Sequence, residues 1–222
     1  MVNSTPQASK TKLSTATSAK KHTPSWKENS ALVAADASTF WAMTFKNWKQ
    51  IYPNTPLQTS ALLEKTYLTP KVSFPMLAQS IITYPLSNSL ETKIGKEASA
   101  ILSGTLSGIA ETLVSQTIAG SKAKQISTAG IACMITRDCL YIEGYLSAKE
   151  TSPEAKYIAP SLIATGTLPL DVMARNLALQ EKAFHEFIPK MNASFFPRIV
   201  GVNLSLLSVL FAQSFFDNKD IT

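Results

Sequence analysis

Ile199–Phe216, IVGVNLSLLSVLFAQSFF, runs for eighteen residues without a charged side chain. As a helix it would be roughly 27 Å long at 1.5 Å per residue, close to the roughly 30 Å hydrocarbon core of a bilayer. Working outward, the same absence recurs. Val72–Leu90 holds no charge, and neither do Gln125–Thr136 and Tyr157–Leu170. Ala98–Ala110 and Thr112–Ser121 are interrupted only by Glu111, and Asn29–Phe45 only by Asp36. The fourth of these six stretches is the shortest and must continue through Arg137 and Asp138 to span. Charged residues are 16% of the 222, against about 25% in ordinary soluble domains. None of the stretches is strongly lipid-soluble, because Ser, Thr, Gly and Gln recur within them. Two architectures follow: a soluble helical protein poor in charge, or a membrane protein whose helices turn one face to lipid and a polar face inward.

The loops separate the two. Links after the first, third and fifth stretches carry Lys46, Lys49, Glu64, Lys65 and Lys71, then Lys122 and Lys124, then Arg175, Glu181, Lys182, Glu186, Lys190 and Arg198, for a net +7 (+6 if Asp171 is counted with them). Links after the second and fourth are each neutral, and the C-terminus after Phe216 carries −1. Sorting of basic charge onto alternate links is the positive-inside signature of a multi-span protein. It predicts an all-α chain of six spans with both termini on one face and three basic links on the other. Residues 1–28 are different, rich in Ser, Thr and Lys with no acid before Glu28, and read as a disordered tail ahead of a membrane domain over 29–222.

Much of enzyme space is closed. Cys133 and Cys139 make no disulfide framework or metal motif, and His22 and His185 are far apart in sequence. No Gly-rich phosphate loop, catalytic triad or paired-carboxylate site is visible, so the expectation is a protein that is not an enzyme and needs no metal or cofactor. The net charge of +6 directs attention to anionic partners such as phospholipid; nucleic acid is not among the partners expected.

The stretches also pair into three repeats, over about 29–93, 94–150 and 151–222. The fifth ends Pro169-Leu170-Asp171, with Arg175 following. The first ends with Trp41, Met43, Lys46 and Gln50, and the third with Gln116, Ile118, Ser121 and Gln125 after the pair Gly104 and Gly108, whose spacing of four lets helices approach closely. Phe196-Pro197-Arg198 and Thr136-Arg137-Asp138 open or centre even stretches. On these residues the chain resembles a shortened and degenerate member of the mitochondrial carrier family, whose odd helices end in proline, any residue, acid, any two, base, commonly with a later Gln. Pro169 and Asp171 match in the third repeat, Lys46 and Gln50 in the first, and Gln125 in the second. The proline and acid of the first repeat, and all three key residues of the second, are missing.

The resemblance implies a six-helix bundle with pseudo-threefold symmetry in the mitochondrial inner membrane. It implies a matrix-side gate in which Asp171 pairs with Lys46, with Pro169, Gln50 and Gln125 around them; alternatively the two charges only flank helix ends. Counting along the even helices from Pro75, Cys133 and Pro197 gives Gln79, Arg137 and Gly201 as substrate contacts, with Asp138 beside Arg137. Arg137 could bind an anion in bidentate fashion, or pair with Asp138 or Glu143 and simply tolerate burial. Asp36 and Glu111 would face a central cavity. The expected function is alternating-access transport of a small anionic or zwitterionic metabolite. The alternative is a carrier-like protein that no longer transports and serves as a membrane scaffold or interaction protein, one variant being delivery to a host's mitochondria. The links after the first and fifth stretches are long enough for a further helix; the link after the third is not.

Overall fold

Ser25 and Glu28 form a reciprocal capping box that starts the first helix at Trp26, within the segment expected to be tail. The computed structural model describes residues 24–46, 48, 54–119, 127–178 and 187–217, and among these every regular element is helical. Helix α1 (Trp26–Ala37) and α2 (Phe40–Lys46) are parted by Ser38 and Thr39. A short helix, α3 (Thr59–Tyr67), occupies the link after the first stretch. Helix α4 (Pro70–Ile81) passes through a π-helical turn (Ile82–Leu86) into α5 (Ser87–Ile94). Then come α6 (Lys96–Ala119), α7 (Thr128–Lys149), α8 (Pro153–Ala178) and α9 (Phe187–Asp217). Each charge-poor stretch has become one helical rod: α1 with α2, α4 with α5, then α6, α7, α8 and α9. As required, α7 runs on through Arg137 and Asp138.

Each rod packs against the next in chain order, and the first packs against the sixth, so the rods close into a ring. Tight turns enforce the order. Gly95, at φ 88°, stops α5 and sends the chain directly into α6, a backbone conformation that glycine adopts without steric cost. Every rod contributes to the apolar core at the centre, including Leu32, Tyr84, Ala100, Ile142, Ala164 and Leu206.

The predicted close approach at the glycine pair is present between α6 and α7. A Cβ on Gly104 would lie 2.5 Å from the Cys139 Cα, and one on Gly108 would lie 2.8 Å from the Ile135 Cα. The breaks are also satisfied. In the first rod the Tyr67 hydroxyl of α3 lies 3.0 and 3.1 Å from the Ala37 and Ser38 carbonyls. In the second, Pro85 has no N–H to give, and the π turn absorbs the missing bond.

The distribution of polarity is inverted. Along α6, Ser99, Ser103 and Ser107 follow one another at i+4 and are at most 1% exposed. On the outward face Leu102, Leu106, Ile109 and Leu113, spaced by four, three and four, are 41–58% exposed. Helix α9 repeats the pattern, with Phe196, Phe211 and Phe215 outside and Arg198 buried. A helix on the surface of a water-soluble protein has the opposite arrangement. Among the described residues one helical segment, Ser194–Phe216 in α9, is long and apolar enough by itself to cross a membrane. The breaks leave the helices of the first two rods too short to qualify, and inward polar residues lower the hydropathy of α6, α7 and α8.

Candidate functional site

Arg137, Tyr141, Tyr145 and Lys149 stand four residues apart along the inward side of α7 and anchor three layers of polar contacts inside the ring, the last two residues sharing one. Four residues is slightly more than one turn, so the side chains stack nearly in register, about 6 Å apart.

The first layer is ionic. Arg137 donates from Nε to Asp138 Oδ1 (2.8 Å), from Nη1 to Asp171 Oδ1 (3.0 Å), and from Nη2 to Asp138 Oδ1 (2.7 Å) and to Glu111. Arg198 of α9 reaches the other Asp171 oxygen, with Nη1 3.2 Å from Oδ2, and donates to the Ala164 carbonyl (3.2 Å) and Thr167 Oγ1 (2.6 Å). Ser107 donates to Asp138 Oδ2 at 2.6 Å. Two guanidinium groups thus meet three carboxylates, for a formal −1, and Arg137, Arg198, Asp138 and Asp171 are all at most 7% exposed. Charges this buried persist only because each has opposite charge and hydrogen bonds around it.

The second layer is neutral except for one acid. Asp36 of α1 accepts from Ser205 Oγ; Ser205 and Tyr84 hydroxyls are 3.0 Å apart, and Tyr84 and Tyr141 hydroxyls 3.2 Å. The third lies at the far end of α7. Lys149 donates to Asn88 Oδ1 (2.7 Å) and pairs with Glu91. Asn88 donates to the Tyr145 hydroxyl (2.9 Å), which in turn donates to Gln213 Oε1 (3.2 Å).

The sequence-derived candidates divide accordingly. Arg137, Asp138, Asp171 and Glu111 come together, on three different rods. Glu143, an alternative partner for Arg137, instead faces Lys96 at 3.9 Å. Asp36 is buried and Glu111 half-buried. Gln79 is half-buried on α4, Gly201 buried on α9, and Pro169 half-buried inside a continuous α8. Gln50 and Gln125, and the side chain of Lys46, lie outside the described residues, and with them the Asp171–Lys46 pairing; the described partners of Asp171 are the two arginines. Arg198 is the residue that reading by loops misplaced, because α9 begins at Phe187 and carries it inside. Tyr84, Tyr141 and Ser205 were missed too, although the i+4 polar stripe on α7 was readable.

Among the described residues no group of His, Cys, Asp and Glu could hold a metal ion. No protein-family model, curated protein or solved structure matches the chain.

Proposed function

We propose that the chain is a six-span membrane protein of carrier type that moves a small anionic or zwitterionic metabolite by alternating access. One observation carries the membrane part: apolar side chains face outward and serines, acids and arginines face inward along the same helices. In water that arrangement exposes what should be buried, whereas in lipid it is the economical one. A closed ring of rods with polar layers stacked inside it, ionic at mid-helix and at one end of α7, supports transport, since inward polar groups suit a path for a polar solute. Placement in the mitochondrial inner membrane, and the pseudo-threefold repeat, rest on the sequence resemblance.

A second reading is favoured by Arg137. Every nitrogen of its guanidinium already bonds a carboxylate, so in this conformation at most one of its five N–H groups is left for a substrate. A membrane scaffold with a permanently paired interior would have that geometry.

The experiments act in sequence. The protein should stay in the membrane pellet after alkaline carbonate extraction; release would end the membrane reading. Cysteines placed at Lys65, Lys122 and Lys182 should label from the face opposite the termini; labelling from one face would refute six spans. Uptake of labelled anionic or amino-acid metabolites by proteoliposomes then separates transporter from scaffold.

A further inference from the structure

Among the described residues, Asp36 is the one interior carboxylate that the ionic layers leave aside. It sits midway along the first rod, 8% exposed, and no Lys or Arg among the described residues is within ion-pair distance. What faces it is a set of hydroxyls from three other rods: Ser80 and Tyr84 from the second, Tyr141 from α7, and Ser205 from α9. Ser80 Oγ is buried beside it with no hydrogen-bond partner within normal geometry. The nearest formal charges on the packed elements are Arg137, one turn from Tyr141 on α7, and Arg198, about two turns from Ser205 on α9; both are held in the ionic layer. The second rod carries no charge between Val72 and Leu90.

We propose that Asp36 is a proton-binding site, which takes up one proton from water when the ring opens to one side and releases it when the ring opens to the other. This rests on the membrane-transport reading above. The chemistry is a single protonation, carboxylate plus proton giving carboxylic acid, with no other bond made or broken. Three features argue for it. An unpaired carboxylate in a low-dielectric interior is costly, and in a closed interior without a base its remedy is to bind a proton. Serine and tyrosine hydroxyls can each donate or accept, so the same cage satisfies the carboxylate and, with one hydroxyl reversed, the acid. An arginine could serve only the first. The hydroxyls also bond to one another in a chain rather than converging on a vacant centre, which suits a proton and not a metal cation.

The location fits. Ser205 is at the midpoint of the apolar segment Ser194–Phe216, and Asp36 lies two residues before the break at Ser38 and Thr39, while Tyr84 lies in the π turn. Interrupted helices at mid-membrane are where secondary transporters hold coupling ions, and π turns are frequent at functional sites.

The test uses the full chain in proteoliposomes. Infrared difference spectra across a pH titration should show a protonated carboxyl C=O band in the wild type, absent in Asp36→Asn and displaced in Asp36→Glu. In pyranine-loaded vesicles given an external acid step, the wild type should acidify the lumen severalfold faster than Asp36→Asn, whether or not sodium is present. A titrating band unchanged in both variants, or equal proton flux, overturns the site. Should Asp36→Asn fail to insert, the Asp36→Glu band shift still decides. Proton flux lost in Asp36→Asn without uptake of any metabolite would keep the site and remove metabolite transport. Metabolite uptake with the same pH dependence in both proteins would do the reverse.

Discussion

Rods three to six are continuous helices that meet at close range and share the arginine–carboxylate layer, whereas rods one and two are each interrupted midway and meet the rest there through hydroxyls, with the Glu91–Lys149 pair bridging to α7 at its far end. The first group joins its members by charge: Glu111, Arg137, Asp138, Asp171 and Arg198 tie α6, α7, α8 and α9 together. The second joins by Ser, Tyr and a lone acid, with a turn at Ser38–Thr39 and a π turn at Ile82–Leu86. The difference teaches where the ring holds and where it gives. Ion pairs among fully buried partners are expensive to open, while a hydroxyl chain can be re-formed with its donors reversed. Motion in the proposed cycle therefore belongs to the seam around rods one and two.

The sharpest way to break that comparison is Arg137→Met. It strands three carboxylates with only Arg198 near, and should cost about 3–5 kcal/mol of stability, read as thermal unfolding in detergent. A change as small as that of an exposed substitution would mean the two halves are held alike.

Lys149→Met tests the pair with Glu91, which crosses from the second rod to α7 and so bridges the two groups. About 1.5–3 kcal/mol is expected, as for hydrogen bonds to charged groups. Combined with Glu91→Gln the losses should be less than additive, reporting direct coupling. Strict additivity would remove the bridge.

Gly104→Ala probes the rigid half by shape alone. The new Cβ would collide with the Cys139 backbone and force α6 from α7, at about 1–3 kcal/mol. Gly166→Ala in α8 meets nothing within 4 Å and should be neutral or slightly stabilising, by up to about 1 kcal/mol. Equal effects at the two glycines would contradict the close contact.

The smallest effect expected is Tyr67→Phe, which removes the hydroxyl from the Ala37 and Ser38 carbonyls at the break in rod one. About 0.5–1.5 kcal/mol should be lost. Faster hydrogen exchange confined to residues near Ser38 would place that loss in the flexible half; uniform acceleration would not.

The helical rods were legible in the sequence because absence of charge over some twenty residues is a property of composition along one element. So was the glycine contact, which needs only a spacing of four, and a helix in the link after the first stretch, which needs only length. Partner choice was not legible. Nothing along the chain points Asp171 to its described partners Arg137 and Arg198, because the rotation of each rod about its axis is set by its neighbours; the expected pairing with Lys46 lies outside the described residues. Arg198 carries a loop-like signal, following a proline, and only the early start of α9 draws it into the interior. The hydroxyl chain was hidden for a related reason: Tyr84, Tyr141 and Ser205 are unremarkable on their own rods and gain meaning only when the ring closes.

The contact between α6 and α7 also bears on how this sequence can change over generations. Any coding change at Gly104 or Gly108 adds at least a Cβ, so there is no mild replacement to pass through, and compensation would have to come from Cys139 or Ile135, where the obstructing atoms are partly backbone. Gly166 is under no such restraint. Lineages descending from this chain should drift freely at position 166 while positions 104 and 108 remain glycine, whatever becomes of the activity.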